Sequence, residues 1–272
     1  MINFFCFDDA IKAAHHFMKE RSGIVHTEKW QGTDIKHRPE AAMHEVMYFN
    51  FNLYLNGDNL DWYRKDIKPN LPWADDHFLE RVSGEPLNPG KEWANWPFAH
   101  SANNFRDEEG RFNHTYMERF WPRFARYNKF EIEEETPPFP PPVGRQGIQY
   151  RYGDLNDLVE QFLHEPLTRQ GYLPIFFPED TGLANPDRKP CTLGYLFFMR
   201  KNRMDITYYI RSCDLVRHFQ DDLYLTVRLL LWVLEKLKSR DVRWLDVKPG
   251  MFRMDIGSLH CFRNDYIKLY GA

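Results

Sequence analysis

Two short segments of this chain carry residues that could form a catalytic site. Lys189-Pro190-Cys191 precedes a run of apolar residues, and Arg211-Ser212-Cys213-Asp214 follows a second such run. A basic residue near a cysteine favours the thiolate, which is the nucleophilic form of that side chain. An arginine next to a hydroxyl can hold a phosphate through charge-assisted hydrogen bonds. The pattern therefore predicts a thiolate nucleophile beside an anion pocket.

Local chemistry alone leaves simpler interpretations open. A cysteine at the start of an apolar run is more often a small buried hydrophobe than a nucleophile, and a polar cluster can simply end a strand. Arg169 could add a second positive charge or be an ordinary surface residue. Glu45 lies in an apolar segment, where burial would suit a carboxyl to proton transfer unless it faces solvent. His260, alone in an apolar stretch, could be structural.

The composition argues against several classes of protein. The chain has 272 residues with 36 basic and 39 acidic side chains, and so lacks the basic excess typical of proteins that bind polymeric nucleic acid. No pair of histidines has metal-site spacing, and we expect no metal. The longest apolar stretch, residues 223–237, contains Arg228 and Glu235, which argues against a membrane span. Four widely spaced cysteines and no signal peptide favour the cytoplasm of a bacterium or of a phage-infected host.

Hydrophobic spacing and helix-start signals predict a mixed architecture. We expect helices over residues 8–20, 39–55, 114–127, 153–166 and 223–237, and strands over 172–177, 193–199, 204–210 and within 251–262. Residues 69–110, rich in proline and tryptophan, are expected to form a long irregular loop, and residues 131–147 a proline-rich insertion. The pattern predicts a single α+β domain over residues 1–272, with a sheet covered by helices.

The order of the motifs resembles the thymidylate synthase superfamily. That family has a Pro-Cys nucleophile, a strand pair, an Arg-Ser-x-Asp motif, a long helix and a Pro-Gly-x-Phe segment leading to Gly-x-x-His-x-Tyr. Here the last two are Pro249-Gly250-Met251-Phe252 and Gly257-Ser258-Leu259-His260-Cys261-Phe262. Upstream, His44-Glu45-Val46-Met47-Tyr48-Phe49 resembles the family's His-Glu-x-x-Trp-Phe helix, and Tyr116, before Trp121, resembles the Tyr of its Tyr-Gly-x-x-Trp segment. The resemblance implies a thymidylate-synthase-like mixed sheet covered by helices.

The resemblance also implies a role for each candidate residue. Cys191 would attack C6 of a pyrimidine ring, Glu45 would organise water and proton transfer at the base, and Tyr116 would be a further catalytic residue. The nucleotide would be held by Arg211, Ser212, Arg169 and Arg21 at the 5′-phosphate and by His260 at the sugar. Asp214 would face a folate, with Trp73 stacked near it. In the family the equivalent of Arg169 crosses from the partner subunit, which implies a homodimer.

One difference from thymidylate synthases concerns recognition of the base. Eight residues after the motif Asp, those enzymes carry an Asn that reads uracil, whereas here the count reaches Asp222, with Asp221 beside it. A carboxylate can accept a hydrogen bond from the N4 amino group of cytosine. The cytidylate and deoxycytidylate hydroxymethylases of the superfamily resemble this chain in having Asp there. The resemblance thus implies 5-hydroxymethylation of CMP or dCMP, with 5,10-methylenetetrahydrofolate as carbon donor.

Other differences leave alternatives open. Phe262 replaces the family's Tyr and removes a contact to the sugar 3′-hydroxyl, so ribose and deoxyribose both stay open, and Thr192 replaces the usual His after the nucleophile. The sequence ends soon after Asn264-Asp265, where thymidylate synthases continue into a tail that closes over the site. Water should therefore reach the intermediate more easily. A uridylate hydroxymethylase, a methylating synthase and a non-catalytic nucleotide-binding relative are the alternatives.

Overall fold

The computed structural model describes residues 2–30, 33–100, 105–122, 153–182 and 188–271. The expected proline-rich insertion at 131–147 lies outside these ranges, as does the end of the helix expected over 114–127. Within the described ranges, no helix combines the length and apolar character needed to cross a membrane.

A mixed seven-stranded sheet forms the centre of the described part of the chain. Its strands are β1 (Ile2–Asn3), β2 (Gly23–Val25), β5 (Met43–Tyr54), β6 (Tyr172–Pro174), β7 (Thr192–Arg200), β8 (Arg203–Asp214) and β9 (Lys248–Phe262), while β3 (Lys29–Trp30) and β4 (Thr33–Asp34) form a separate hairpin. The order is β1-β5-β9-β8-β7-β6, and β2 also pairs with β5, at the start of that strand where β1 does not reach. The central β8–β9 pair is parallel, and β5–β9 and β7–β8 are antiparallel. The hairpin expected around residues 201–203 is confirmed.

Helices cover the sheet, which confirms the predicted α+β class. They are α1 (Phe7–Arg21), α2 (Leu60–Ile67), α3 (Trp73–Arg81), α4 (Tyr116–Phe120), α5 (Leu155–His164), α6 (Phe219–Arg240) and α7 (Arg263–Tyr270). The long α6 contains the apolar run at 223–237 and buries it at helical spacing: Leu223, Val227, Leu230, Leu234 and Leu237 are all buried. At the start of α5, Asp154 accepts hydrogen bonds from the backbone of Asn156 and Asp157, which caps the helix.

The alternation of buried and more exposed residues is interrupted at the same level in three neighbouring strands, β5, β8 and β9. A regular strand buries every second residue, but here the buried neighbours lie three apart. They are Val46 and Phe49, Ile210 and Cys213, and Ile256 and Leu259. Tyr48 has a φ of 58° at this level. A Cβ on Gly257 would lie 2.8 Å from the carbonyl oxygen of Arg211, so the strands approach too closely there for a side chain. The phase change places Arg211 and Ser212 between buried residues rather than in the core.

The helix expected over residues 39–55 is wrong. Only Pro39–Ala41 forms a short 3-10 turn, and β5 follows. Beyond Tyr48, buried Phe49, Phe51 and Leu53 alternate with more polar residues, a period-two pattern that outweighs the helix-start signal of Pro39. Glu45 therefore lies on a strand, opposite His260 of β9.

The segment at 69–110 is less irregular than expected, because it contains α3. Pro72 precedes the helix directly, a position where proline costs no hydrogen bond. The tryptophans then fold onto one another, with Trp96 lying 5.9 Å from Trp73 and 5.3 Å from Trp93 between ring centroids. This packing orders the segment and fixes α3 against the rest of the domain.

Candidate active site

The Cys191 thiol lies at the start of β7 beside the guanidinium of Arg211. The backbone N–H of Arg211 donates to the Cys191 carbonyl at 2.9 Å, since β7 and β8 are neighbours. The Arg211 side chain donates through Nε to Pro190 and through Nη2 to Lys189, at 2.9 and 3.1 Å, and Nη2 lies 4.0 Å from the Cys191 sulfur. The cysteine is partly exposed. A guanidinium thus lies beside a partly exposed thiol.

A chain of hydroxyls runs behind Cys191. The Thr192 hydroxyl donates to the Tyr116 oxygen at 3.1 Å and bonds the Tyr208 hydroxyl at 2.8 Å. The Tyr208 hydroxyl lies between Thr192 and Asp222, and its single hydrogen can serve either acceptor. Because Tyr116 accepts from Thr192, the hydrogen of its own hydroxyl is left for another acceptor. Burial, then the charges of Cys191 and Asp222, raise the pKa of Tyr116, so the phenol stays neutral and can donate.

Asp222 faces this same group from the first turn of α6. The Cys213 thiol contacts its Oδ2 at 3.7 Å. Burial raises the pKa of Asp222 to about 7; the charge of Arg81 opposes the rise and that of Asp221 adds to it. Asp221 points elsewhere and accepts two hydrogen bonds from Asn70, both at 2.8 Å. The two adjacent carboxylates thus have different surroundings: Asp221 binds Asn70, and Asp222 lies close enough to Tyr116 for its charge to act on that phenol.

Two basic residues of α3 complete this side, and the sequence reasoning missed both. The Arg81 guanidinium is buried, lies 4.5 Å from the centroid of the Tyr116 ring, and donates through Nε to His77 at 3.0 Å. Burial and the Arg81 charge lower the pKa of His77 to about 4, so its ring is neutral. The available signal was the spacing of Trp73, His77 and Arg81, which share one helical face. It was hidden because the segment had been predicted as a loop.

A second polar cluster lies where β5, β8 and β9 run side by side. The Ser212 hydroxyl bonds His260 Nδ1 at 3.3 Å, and the Ser258 hydroxyl donates to Glu45. Register places Glu45 opposite His260, and Gly23 of β2 opposite Glu45. Arg21 ends α1 just before that strand and packs over the Phe17 ring at 4.4 Å. The Arg21-Ser22-Gly23 segment therefore borders the serine and histidine cluster.

The two residues expected at a folate are both engaged within the protein. Asp214 Oδ1 accepts the backbone N–H groups of Val216 and Arg217, and Oδ2 accepts the Arg217 guanidinium at 2.8 Å. Trp73 is buried, with His77 stacked on its ring at 4.8 Å. Trp96 stacks on His218 at 4.7 Å, in the aromatic cluster that follows α3. Trp96 is as buried as Trp73, so the rings of both tryptophans are covered within the protein.

Arg169 lies away from the other candidates of its own chain. It is exposed, two residues before Gly171, whose carbonyl accepts the backbone N–H of Phe197. Cys191 lies six residues before Phe197 along β7, which corresponds to about 20 Å at the rise of an extended strand. Arg169 therefore cannot serve the Cys191 site of the same chain without a large movement.

Cys191, Arg211, Tyr116 and Asp222 thus form one group, with Ser212 and His260 on the neighbouring strands. Such a group combines a nucleophile, a fixed positive charge, a neutral donor and a titratable carboxyl, which suits covalent addition to a polar ring. No family model matches the chain. It is similar to the deoxyuridylate hydroxymethyltransferase of Bacillus phage SP01, with 29% identity over 113 residues. The match covers 41% of this chain and spans 28% of that protein's length.

Proposed function

We propose that this chain transfers a one-carbon unit to C5 of a pyrimidine nucleoside monophosphate and leaves a hydroxymethyl group there. The observation that carries the proposal is the position of the Cys191 thiol, with Arg211 on one side and Tyr116 and Asp222 on the other. A binding module needs no nucleophile beside a fixed charge, which argues against a non-catalytic relative. The similarity to a phage hydroxymethyltransferase supports the same class of reaction.

The side chains suggest the order of events. Cys191 adds to C6 and places electron density on C5, which then bonds to the methylene carbon of 5,10-methylenetetrahydrofolate. Loss of the C5 proton and departure of tetrahydrofolate leave an exocyclic methylene group. Water adds to that carbon, the Cys191–C6 bond breaks, and the 5-hydroxymethyl nucleotide forms. Tyr116, a neutral donor, supplies a hydrogen bond at the base, while Glu45, opposite His260, organises water and proton transfer there.

Asp222 is the residue that we propose reads the base, and it favours cytosine when ionised. A carboxylate accepts from the N4 amino group of cytosine, and N3 protonation during the attack completes the pair. Uracil presents an N3 donor and an O4 acceptor together, and a carboxylate cannot donate to O4. We therefore place CMP or dCMP first.

Uridylate is the second candidate, and two observations favour it. The similar phage protein is named for deoxyuridylate. A pKa of about 7 also means that much of Asp222 is neutral near physiological pH. A neutral carboxyl offers one donor and one acceptor, as the amide of an asparagine does, and can pair with uracil.

The remaining contacts extend the same proposal. Arg211 and Ser212 hold the phosphate, with Arg21 at the edge of the pocket, and His260 contacts the sugar. Arg169 is too far from its own Cys191, so it acts in the site of a partner subunit, and the enzyme is a homodimer. We place the folate on the side of Asp214 and Trp73, next to the aromatic cluster of Trp96 and His218.

One assay tests the reaction and the base together. The full chain is incubated with 5,10-methylenetetrahydrofolate and each of CMP, dCMP, UMP and dUMP, and the products are identified by mass. We expect a hydroxymethyl group on a cytidine nucleotide. A methyl product would overturn the reaction, and a preference for dUMP would overturn the base assignment.

Replacing the nucleophile separates chemistry from binding. Cys191→Ala should lose turnover entirely, because no other thiol lies beside Arg211 in the described part of the chain, but it should still bind nucleotide. Cys6→Ala is the matched control, since Cys6 is a partly exposed thiol at the start of α1 and should be dispensable. An active Cys191→Ala variant would exclude covalent catalysis by this residue.

A further inference from the structure

The Arg81 guanidinium is the least expected charge beside the Asp222 group. Its side chain is 6% exposed, although burying a charge is costly unless other groups compensate it. Helix α3 ends at this residue, and the Trp121 indole donates to the Arg81 carbonyl at 2.8 Å, which anchors the end of the helix. A buried guanidinium in a fixed position requires an anion or hydrogen-bond acceptors near it.

A short relay within α3 fixes the orientation of the guanidinium. His77 Nε2 accepts from Arg81 Nε, so a neutral His77 carries its proton on Nδ1. That nitrogen lies 3.6 Å from Glu80 Oε2. Glu80 Oε1 in turn accepts the backbone N–H of Glu92 at 3.1 Å. The relay uses Nε of the guanidinium and leaves its two terminal NH₂ groups, with four N–H donors, for other contacts.

The charge of Arg81 acts on the base-reading side of the site. It lowers the pKa of Asp222 against the effect of burial, and it does the same at Tyr116 and Tyr195. The ionisable groups that face Asp222 come from five elements: Arg81 of α3, Tyr116 of α4, Tyr195 of β7, Tyr208 and Cys213 of β8, and Asp221 of α6. Arg81 is the cation of that group.

We propose that Arg81 is a positioning residue that sets base specificity, because its buried charge keeps Asp222 available as an ionised acceptor for the amino group of cytosine. The base-reading part rests on the proposed function. The coupling between Arg81 and Asp222 does not, because it is a property of the free protein. Without Arg81, the carboxyl becomes neutral over a wider pH range and pairs with uracil more readily.

The coupling can be measured without any ligand. The free energy of unfolding is followed against pH for wild type, Asp222→Asn, Arg81→Gln and the double variant. An acid whose pKa is raised by folding costs stability as pH rises from its unfolded value, and the cost stops growing at its folded pKa. The difference in unfolding free energy between each protein and its Asp222→Asn partner, plotted against pH, therefore levels off at the folded pKa of Asp222; we call this point the break. We expect the break to move up by about one pH unit without Arg81.

Two further variants guard the interpretation. Arg228→Gln removes a guanidinium that packs on the Phe78 ring of α3 at 4.4 Å and pairs with Asp75, away from Asp222, and should leave the break in place. Arg81→Lys keeps the positive charge but not the planar guanidinium, and we expect its break at a pH between those of wild type and Arg81→Gln. If Arg81→Gln does not fold, the break of Arg81→Lys is the test of the coupling. An unchanged break in a folded Arg81 variant overturns the proposal.

Nucleotide binding then tests the specificity. At pH 7, the ratio of CMP to UMP affinity should fall by about tenfold in Arg81→Gln and recover as pH rises past the new break. If the CMP to UMP affinity ratio stays constant while the break moves, Arg81 is coupled to Asp222 but does not set base specificity. If wild type binds neither nucleotide, the proposed function fails, and the unfolding measurement still decides the coupling.

Discussion

Two arginines of this chain lie buried near an aspartate, and the two pairs are built differently. Arg119 of α4 and Asp180 are 2% and 0% exposed and share two hydrogen bonds, at 2.9 and 3.0 Å. The backbone N–H of Phe177 also donates to Asp180 Oδ2. Both oxygens of this carboxylate thus accept from donors of the protein, although Arg119 Nε is buried without a partner among the described residues. Such a pair holds a loop to a helix and leaves neither carboxylate oxygen free for a ligand.

The pair of Arg81 and Asp222 is open by comparison. The Arg81 guanidinium donates to His77 and packs on Tyr116, while Asp222 has the Cys213 thiol and the Tyr208 hydroxyl as its side-chain donors. Its pKa is raised to about 7 because burial is only partly compensated. A buried carboxyl with only a thiol and a hydroxyl as side-chain donors, and a raised pKa, is the kind of group found at functional sites. Burial of an arginine near an aspartate is therefore uninformative by itself, and the strength of the donors that bind the carboxylate is what separates the structural pair from the functional one.

The largest expected effect comes from breaking the closed pair. Asp180→Ala leaves the Arg119 charge buried without a counter-ion, which should lower the free energy of unfolding by about 3–5 kcal/mol. Urea denaturation of the full chain measures it. Replacing both partners, as in Arg119→Met with Asp180→Leu, should recover much of the loss, because well-packed apolar residues substitute for buried pairs. A loss in Asp180→Ala no larger than that of a surface pair would mean that this pair is not closed.

Removing the carboxylate charge of the open pair, Arg81 and Asp222, should stabilise the protein rather than destabilise it. Asp222→Asn should not destabilise the protein near neutral pH, and should stabilise it as pH rises from 4 towards 7, where the wild-type carboxyl increasingly pays for ionisation. The stabilisation should reach a plateau above pH 7. At the same time, preference for cytosine over uracil nucleotides should fall by about ten- to a hundredfold, as expected for one changed base contact.

The prediction for Asp222→Asn is tested by two measurements. Thermal unfolding between pH 4 and 9 measures the change in stability, and competition between CMP and UMP measures the change in base preference. Asp221→Asn is the matched control, since its carboxylate binds Asn70 and should affect stability without changing base preference. A change of base preference in Asp221→Asn would transfer the base-reading role to that residue.

The same contrast explains which parts of the site were predictable from sequence. Cys191, Arg211 and Ser212 stand at the ends of short apolar runs joined by a tight hairpin, so their proximity follows from local pairing. Asp221 and Asp222 are equivalent by residue type, and only the rotation of about 100° between successive helix residues separates them in the structure. The count from Asp214 predicted Asp222, although residue type alone could not distinguish it from Asp221.

The misassigned segments failed for a different reason. Glu45 was expected on a helix because Pro39 signals a helix start, but pairing of β5 with β9 over its full length decides the conformation. Arg81 and His77 went unnoticed because the prolines and tryptophans around them suggested a loop. In both cases long-range packing outweighs local propensity. A short sequence window contains no information about that packing.

The smallest expected effect comes from an arginine pair on the surface. Arg240, at the end of α6, bonds Glu160 of α5, but their side chains are 47% and 56% exposed. Arg240→Gln should change the free energy of unfolding by less than about 0.5 kcal/mol, because water and salt already screen the exposed charges. Urea denaturation at low and high salt checks this, with Glu160→Gln as the partner control. Near-equality with wild type would show that contact distance alone does not set the cost, since this pair, like Arg119 and Asp180, makes a direct hydrogen bond. A loss comparable to that of Asp180→Ala would mean instead that contact between arginine and carboxylate stabilises this fold wherever it occurs, and the distinction between closed and open buried pairs would lose its basis.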